Sequence, residues 1–309
     1  MKPISGFEWG ISHHPGRPGA YDLTGRRTRA IFDTLLGLAG RFPRSTRSPG
    51  TIVEGSLLGK VGAVDFASLF AERVTIFAGH FGSGKTELTL NAALAAAEAG
   101  ISTSLIDLDV VKPYFRSRSA QETLAESGVE LVAPQGDLLE ADLPVICVNV
   151  RARMRDPLRK VFVDAGGNDL GVRALSSVLD AVPEGNTAFL LVLNFRRPFT
   201  PDVESAIEMA RAIEAAARLR FTGAVSNTHL MKETTPAVVM EGYEKADETA
   251  RRLGIPLMAV SVERSLLEPL LRFPLECPVL PLRRLVKPPF DRKEPQMKVR
   301  TMGPIFKMG

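Results

Sequence analysis

The chain has 309 residues, 45% hydrophobic and 24% charged, the balance of a soluble globular protein with one large core or one core plus appendages. No stretch approaches the roughly 18 apolar residues of a membrane span. The two cysteines, Cys147 and Cys277, have no C-x-x-C spacing, which argues against a disulfide framework, a cysteine-held zinc site or an iron–sulfur cluster in one subunit, and fits a reducing, cytoplasmic setting.

The net charge of +4 is unevenly spread. Residues 1–60 carry 9 basic and 4 acidic side chains, residues 282–309 carry 8 and 2, and the stretch between carries 22 and 29. An acidic body between basic ends is therefore expected. Residues 1–70 read as a basic, poorly ordered extension punctuated by Pro, Gly, Arg and Ser. Inside it, Arg26-Arg27-Thr28-Arg29 and the apolar stretch that follows predict a short amphipathic helix. Asp33 interrupts that stretch and no small-residue cleavage site follows, so it is not read as a signal peptide.

The first strong element is the β-branched run Val74-Thr75-Ile76-Phe77-Ala78, a predicted strand. Gly79-His80-Phe81-Gly82-Ser83-Gly84-Lys85-Thr86 follows it directly and fits G-x-x-x-x-G-K-[ST]. The three glycines let the backbone turn tightly and aim successive N–H groups at one point, and the next helix adds the positive end of its dipole. In such a loop the lysine reaches the β- and γ-phosphates and the threonine hydroxyl holds Mg²⁺. That helix is predicted over Glu87–Ala99, with Gly100 as its stop.

Strands are then expected at Thr103–Asp107, Val161–Asp164, Thr187–Leu193, Gly223–Ser226 and Pro256–Val260, and helices at Ala174–Leu179, Pro201–Leu219 and Thr235–Leu253. Apolar strands alternating with helices predict an α/β fold with a mostly parallel sheet covered on both faces. Ligands of such sheets gather at the carboxyl ends of the strands. Asp107, Asp109 and Asp164 lie there, suited to direct or water-mediated Mg²⁺ ligation, and Gly167 offers a backbone N–H to sense a γ-phosphate. The domains expected are an extension over 1–70, a nucleotide-binding domain over 71–282 and a basic tail over 283–309.

The order of the loop, Asp107-Leu108-Asp109, Asp164-Ala165-Gly166-Gly167 and Asn227 resembles the MinD/ParA group of P-loop ATPases, which includes the CobQ/CobB-like domains. The passage Leu193-Asn194-Phe195-Arg196-Arg197-Pro198-Phe199-Thr200-Pro201 is also similar to that group, and the likeness spans about residues 73–282. It implies a slow Mg²⁺-dependent ATPase in which Lys85 binds phosphate, Thr86 holds Mg²⁺, Asp107 or Asp109 positions the attacking water, Asp164 supports the metal and Asn227 contacts adenine. It further implies a nucleotide-dependent homodimer acting on a partner protein or DNA.

One position departs from that pattern. Where the group carries a second lysine early in the loop, this chain has His80, shorter and mostly neutral at pH 7. Arg116 and Arg118 are candidates for the missing charge. His229 is a candidate to line the base pocket, and Cys147 with Cys277 form a weaker candidate for a metal site shared across a dimer. Another class stays open: a biosynthetic ligase of the CobB or dethiobiotin synthetase sort, in which ATP activates a substrate carboxylate.

Overall fold

Strands buried on both faces read as continuous apolar runs, and here such runs build an eight-stranded sheet that is parallel throughout. The computed structural model describes residues 63–108, 118–133, 148–166 and 169–285. In chain order they form α1 (Phe66–Leu69), β1 (Val74–Ala78), α2 (Lys85–Glu98), β2 (Thr103–Asp107), α3 (Arg118–Glu126), β3 (Val129–Val132), α4 (148–155) and β4 (Lys160–Asp164). Then come α5 (Asp169–Ser176), β5 (Thr187–Leu193), α6 (Val203–Ala217), β6 (Gly223–Ser226), α7 (Pro236–Leu253), β7 (Leu257–Glu263), α8 (Leu267–Leu270) and β8 (Val279–Leu282).

The strands lie in the order β3-β2-β4-β1-β5-β6-β7-β8. From β1 the chain passes over the position of β4 to reach β2, while β5 joins the other edge of β1, so the strand order reverses at β1. The crevice at the carboxyl end of β1 is the ligand position of such a sheet.

Successive strand residues serve opposite faces. Val74, Ile76 and Ala78 join Val161, Val163, Leu191 and Leu193 in one core with Val172 and Leu175 of α5 and Ala206 and Ala210 of α6. Phe77, Leu105, Phe162 and Val192 fill the other face with Leu88, Ala92, Ala93 and Ala96 of α2. Burying a Leu, Val or Phe side chain stabilises the fold by about 1.5–3 kcal/mol. Small alanines let α2 lie close on the sheet, and this packing holds its first turn against the carboxyl end of β1.

Several boundaries differ from expectation. α2 begins at Lys85, because Gly84 in the left-handed region (φ +92°) ends the loop and lets the next residue turn helical. β7 runs on to Glu263, and α5 lies earlier than the expected helix. β3 and β8, the two edges of the sheet, were not predicted. The expected extension to residue 70 is corrected at its end. Phe66 and Phe70 are buried, Phe70 meets Phe77 edge-on at 5.2 Å, and Ala63 bridges to Val279.

The expected helix at residues 26–39, the tail beyond Leu285, and Asp109, Arg116, Cys147 and Gly167 lie outside the described residues, as does the side chain of Arg118. Among the described residues no helix is long and apolar enough to cross a membrane.

Candidate nucleotide site

The loop between β1 and α2 takes the shape its glycines allow. Gly82 (φ +78°) and Gly84 (φ +92°) occupy the left-handed region that other residues adopt only with strain. At Gly79 the constraint is space, since a Cβ there would stand 2.4 Å from the Val192 carbonyl oxygen of β5. Two of the glycines are thus required by backbone conformation and the third by space.

Lys85 is buried, and its Nζ folds back to donate to the His80 carbonyl at 3.0 Å, which places the ammonium inside the curl of the loop. Thr86, the next residue of α2, donates its hydroxyl to Asp164 Oδ2 at 2.5 Å. That is the length of a charge-assisted O–H···O⁻ bond. Asp164 ends β4 and is the register partner of Asp107, which ends β2, so two buried carboxylates leave adjacent strands side by side. The Gly166 N–H lies 3.4 Å from Asp164 Oδ1. The structure thus brings Lys85 and Thr86 of the loop together with Asp164, and Asp107 stands beside Asp164 on the next strand.

The donor set fits Mg²⁺. A hydroxyl and a carboxylate oxygen already in contact are hard ligands, and Mg²⁺ is commonly held by one or two protein oxygens plus substrate phosphates rather than by an all-protein cage. No group of three or more His, Cys, Asp or Glu suited to a metal occurs among the described residues.

The outer flank of the loop is braced by residues far away in sequence. Asn227, buried at the end of β6, donates from Nδ2 to the Ser83 carbonyl at 2.8 Å and accepts at Oδ1 from the Ser261 hydroxyl, also at 2.8 Å. Its Nδ2 would lie 2.0 Å from a Cβ at Gly84, a second reason for glycine there. Arg197, in the loop after β5, donates from Nε to the Gly82 carbonyl at 2.8 Å. Its neighbour Arg196 turns away to Glu241 of α7. Neither the bracing by Asn227 nor the separate roles of the paired arginines were anticipated, and the arginine pair was the only local signal.

His229 stands beside this flank, with Nε2 3.6 Å from where a Gly84 Cβ would be. Burial, followed by the positive charges of Arg197 and Arg284, pushes its pKa down to about 4, so it is neutral at pH 7. At the loop mouth the His80 ring packs on Phe199, 4.8 Å between centroids. Phe81 and Phe199 are both exposed there. Cys277 lies elsewhere, among Val260, Val262 and Leu270, and burial raises its thiol to about 12. It is an unreactive core thiol, which gives no support to the shared metal site considered from the sequence.

No family model matches the chain, and no curated protein matches it. Among solved structures it is similar to the cell division protein FtsY of Thermotoga maritima, with 20% identity, 61% of each chain covered and a TM-score of 0.42. It is also similar to the signal recognition particle 54 kDa protein of Aeropyrum pernix in complex with GDP, with 14% identity over 76% of this chain and 48% of that one and a TM-score of 0.39. A third is a nucleotide-binding protein of Archaeoglobus fulgidus in complex with ADP, at 16% identity over 65% of this chain and 86% of that one, TM-score 0.36. The chain thus spans about three fifths of the FtsY chain and half of the 54 kDa protein. The chain's own loop, parallel sheet and strand-end carboxylates make it a P-loop nucleotide-binding fold.

Proposed function

We propose that this chain is a Mg²⁺-dependent P-loop ATPase of MinD/ParA-like action, a cytoplasmic switch whose bound nucleotide governs self-association and contact with a partner protein or DNA. The observation that carries the reading is the Thr86–Asp164 contact of 2.5 Å beside Lys85 in the loop. It joins the phosphate loop to the strand-end carboxylate, the pairing that phosphoryl transfer with a metal requires.

The chain's own groups divide the work. The N–H groups of the first turn of α2, from Lys85 onward, bind phosphate oxygens, and Lys85 neutralises charge that develops on the transferred phosphoryl group. Thr86 and Asp164 hold Mg²⁺, which when bound stabilises charge on the β- and γ-phosphates. Asp107, the register neighbour of Asp164, is the group assigned to orient an attacking water, in a role shared with or taken by Asp109. Gly167 is the candidate γ-phosphate sensor. ATP is favoured by Asn227. After its bonds to Ser83 and Ser261 its amide keeps one N–H and one oxygen lone pair, a donor–acceptor pair that matches adenine N7 and N6.

Self-association is favoured by the exposed rings of Phe81 and Phe199 at the loop mouth, 45% and 69% accessible, apolar surface directly beside the nucleotide. Light scattering of the purified protein tests the switch. A dimer is expected with a non-hydrolysable ATP analogue plus Mg²⁺ and a monomer with ADP, together with slow Mg²⁺-dependent ATP hydrolysis. One unchanging mass with nucleotide bound, or ATP consumption only with a small carboxylic acid present, would replace the switch with the ligase reading.

A further inference from the structure

Arg197 is half-buried, yet among the described residues its side chain makes no ion pair, and the one hydrogen bond of its guanidinium is from Nε to the Gly82 carbonyl. Burial pulls its pKa below the ordinary arginine value, although a guanidinium remains charged at any physiological pH. A desolvated cation without an anion partner is unfavourable unless a ligand compensates it. The neighbouring Arg196, by contrast, has Glu241.

The position of Arg197 says which part of a ligand it meets. Its Cδ, Nε and Cζ lie 3.3, 3.2 and 3.9 Å from the point a Gly82 Cβ would occupy, so the side chain lies along the loop's outer flank. Asn227 and His229 occupy that same flank at Gly84. Both Arg197 and Arg284 are close enough to His229 for their charges to act on it. Arg284 arrives from the segment after β8. That segment is pinned to α2 where the Leu285 N–H donates to Glu87 at 2.5 Å and the Arg283 N–H to Asn91 at 2.8 Å. Three cationic or imidazole side chains from three chain segments thus gather near the start of α2.

We propose that Arg197, with His229 beside it, forms a planar clamp for the nucleoside, the guanidinium lying on the face of the purine base while its Nε stays anchored on the phosphate loop. The inference rests on the nucleotide reading above and extends it to the base. A guanidinium plane stacks on an aromatic face through cation–π and dispersion attraction. The Met231 N–H points at His229 Nδ1 at 3.4 Å, so the proton of the neutral ring sits on Nε2, a donor facing the site.

The test separates base from phosphate by comparing the affinities of ADP, ATP and inorganic tripolyphosphate for wild type, Arg197→Ala and Arg197→Lys. Stacking on a base is commonly worth about one to two orders of magnitude in affinity, so Arg197→Ala should bind ADP and ATP about tenfold to hundredfold more weakly and tripolyphosphate as wild type does. Arg197→Lys keeps the charge but loses the plane, and should not restore binding. An equal loss for tripolyphosphate would make Arg197 a prop of the loop, and rescue by lysine would make it a simple phosphate charge. Either result overturns the clamp. Failure of wild type to bind ATP or tripolyphosphate would instead remove the nucleotide reading itself.

Discussion

Lys85→Ala is expected to weaken nucleotide binding by about a hundredfold or more, some 2.7 kcal/mol, while leaving the fold intact. Lys85 is a buried lysine whose ammonium is folded into the loop over the His80 carbonyl, so its charge has no route to the sheet core. Alanine is the best helix former and suits the first position of α2, so the loss falls on the ligand and not on the scaffold. Titration of a fluorescent ATP derivative reads the affinity, and thermal unfolding checks the fold. Affinity within about tenfold of wild type, some 1.4 kcal/mol, would contradict the assignment of the loop.

The second large effect is expected at Asp164. Asparagine keeps the shape and can still accept the Thr86 hydroxyl, but it removes the negative charge that a divalent cation needs. Asp164→Asn should therefore bind nucleotide without Mg²⁺ about as wild type does and lose Mg²⁺-dependent hydrolysis by about a hundredfold or more. Steady-state phosphate release across a Mg²⁺ series is the measurement. Unchanged turnover would remove Asp164 from the metal site and leave its bond to Thr86 as a helix-start contact.

How much could be read from the sequence follows from where each residue lies. β1, β2, β5 and β6 were found residue for residue because central strands are continuous apolar runs. β3 and β8 were missed because they are edges. Glu130 of β3 is turned to Arg153 and Arg159, and Pro281 interrupts β8, where an edge strand tolerates a missing N–H. α1 was lost among the Pro- and Gly-rich residues before it, although Phe66 and Phe70 close the core.

The site divides in the same way. Loop and strand-end carboxylates are local signals, visible as a motif or as Asp after an apolar run. The braces are not local. Gly82 and Arg197 are 115 positions apart and Ser83 and Asn227 are 144 apart, so only the folded sheet brings them together. His80 was first a departure from a pattern, and in the structure it is a ring packed on Phe199, which gives the loop mouth an apolar surface instead of a second fixed charge.

The central claim is that the Gly79–Thr86 loop and Asp164 together bind a magnesium nucleoside triphosphate. Calorimetric titration of ATP into the wild-type protein, once with Mg²⁺ and once with the metal chelated, tests it most directly. The account predicts one site per chain and clearly tighter binding with Mg²⁺. Absence of binding at millimolar ATP, or an affinity indifferent to Mg²⁺, would contradict it.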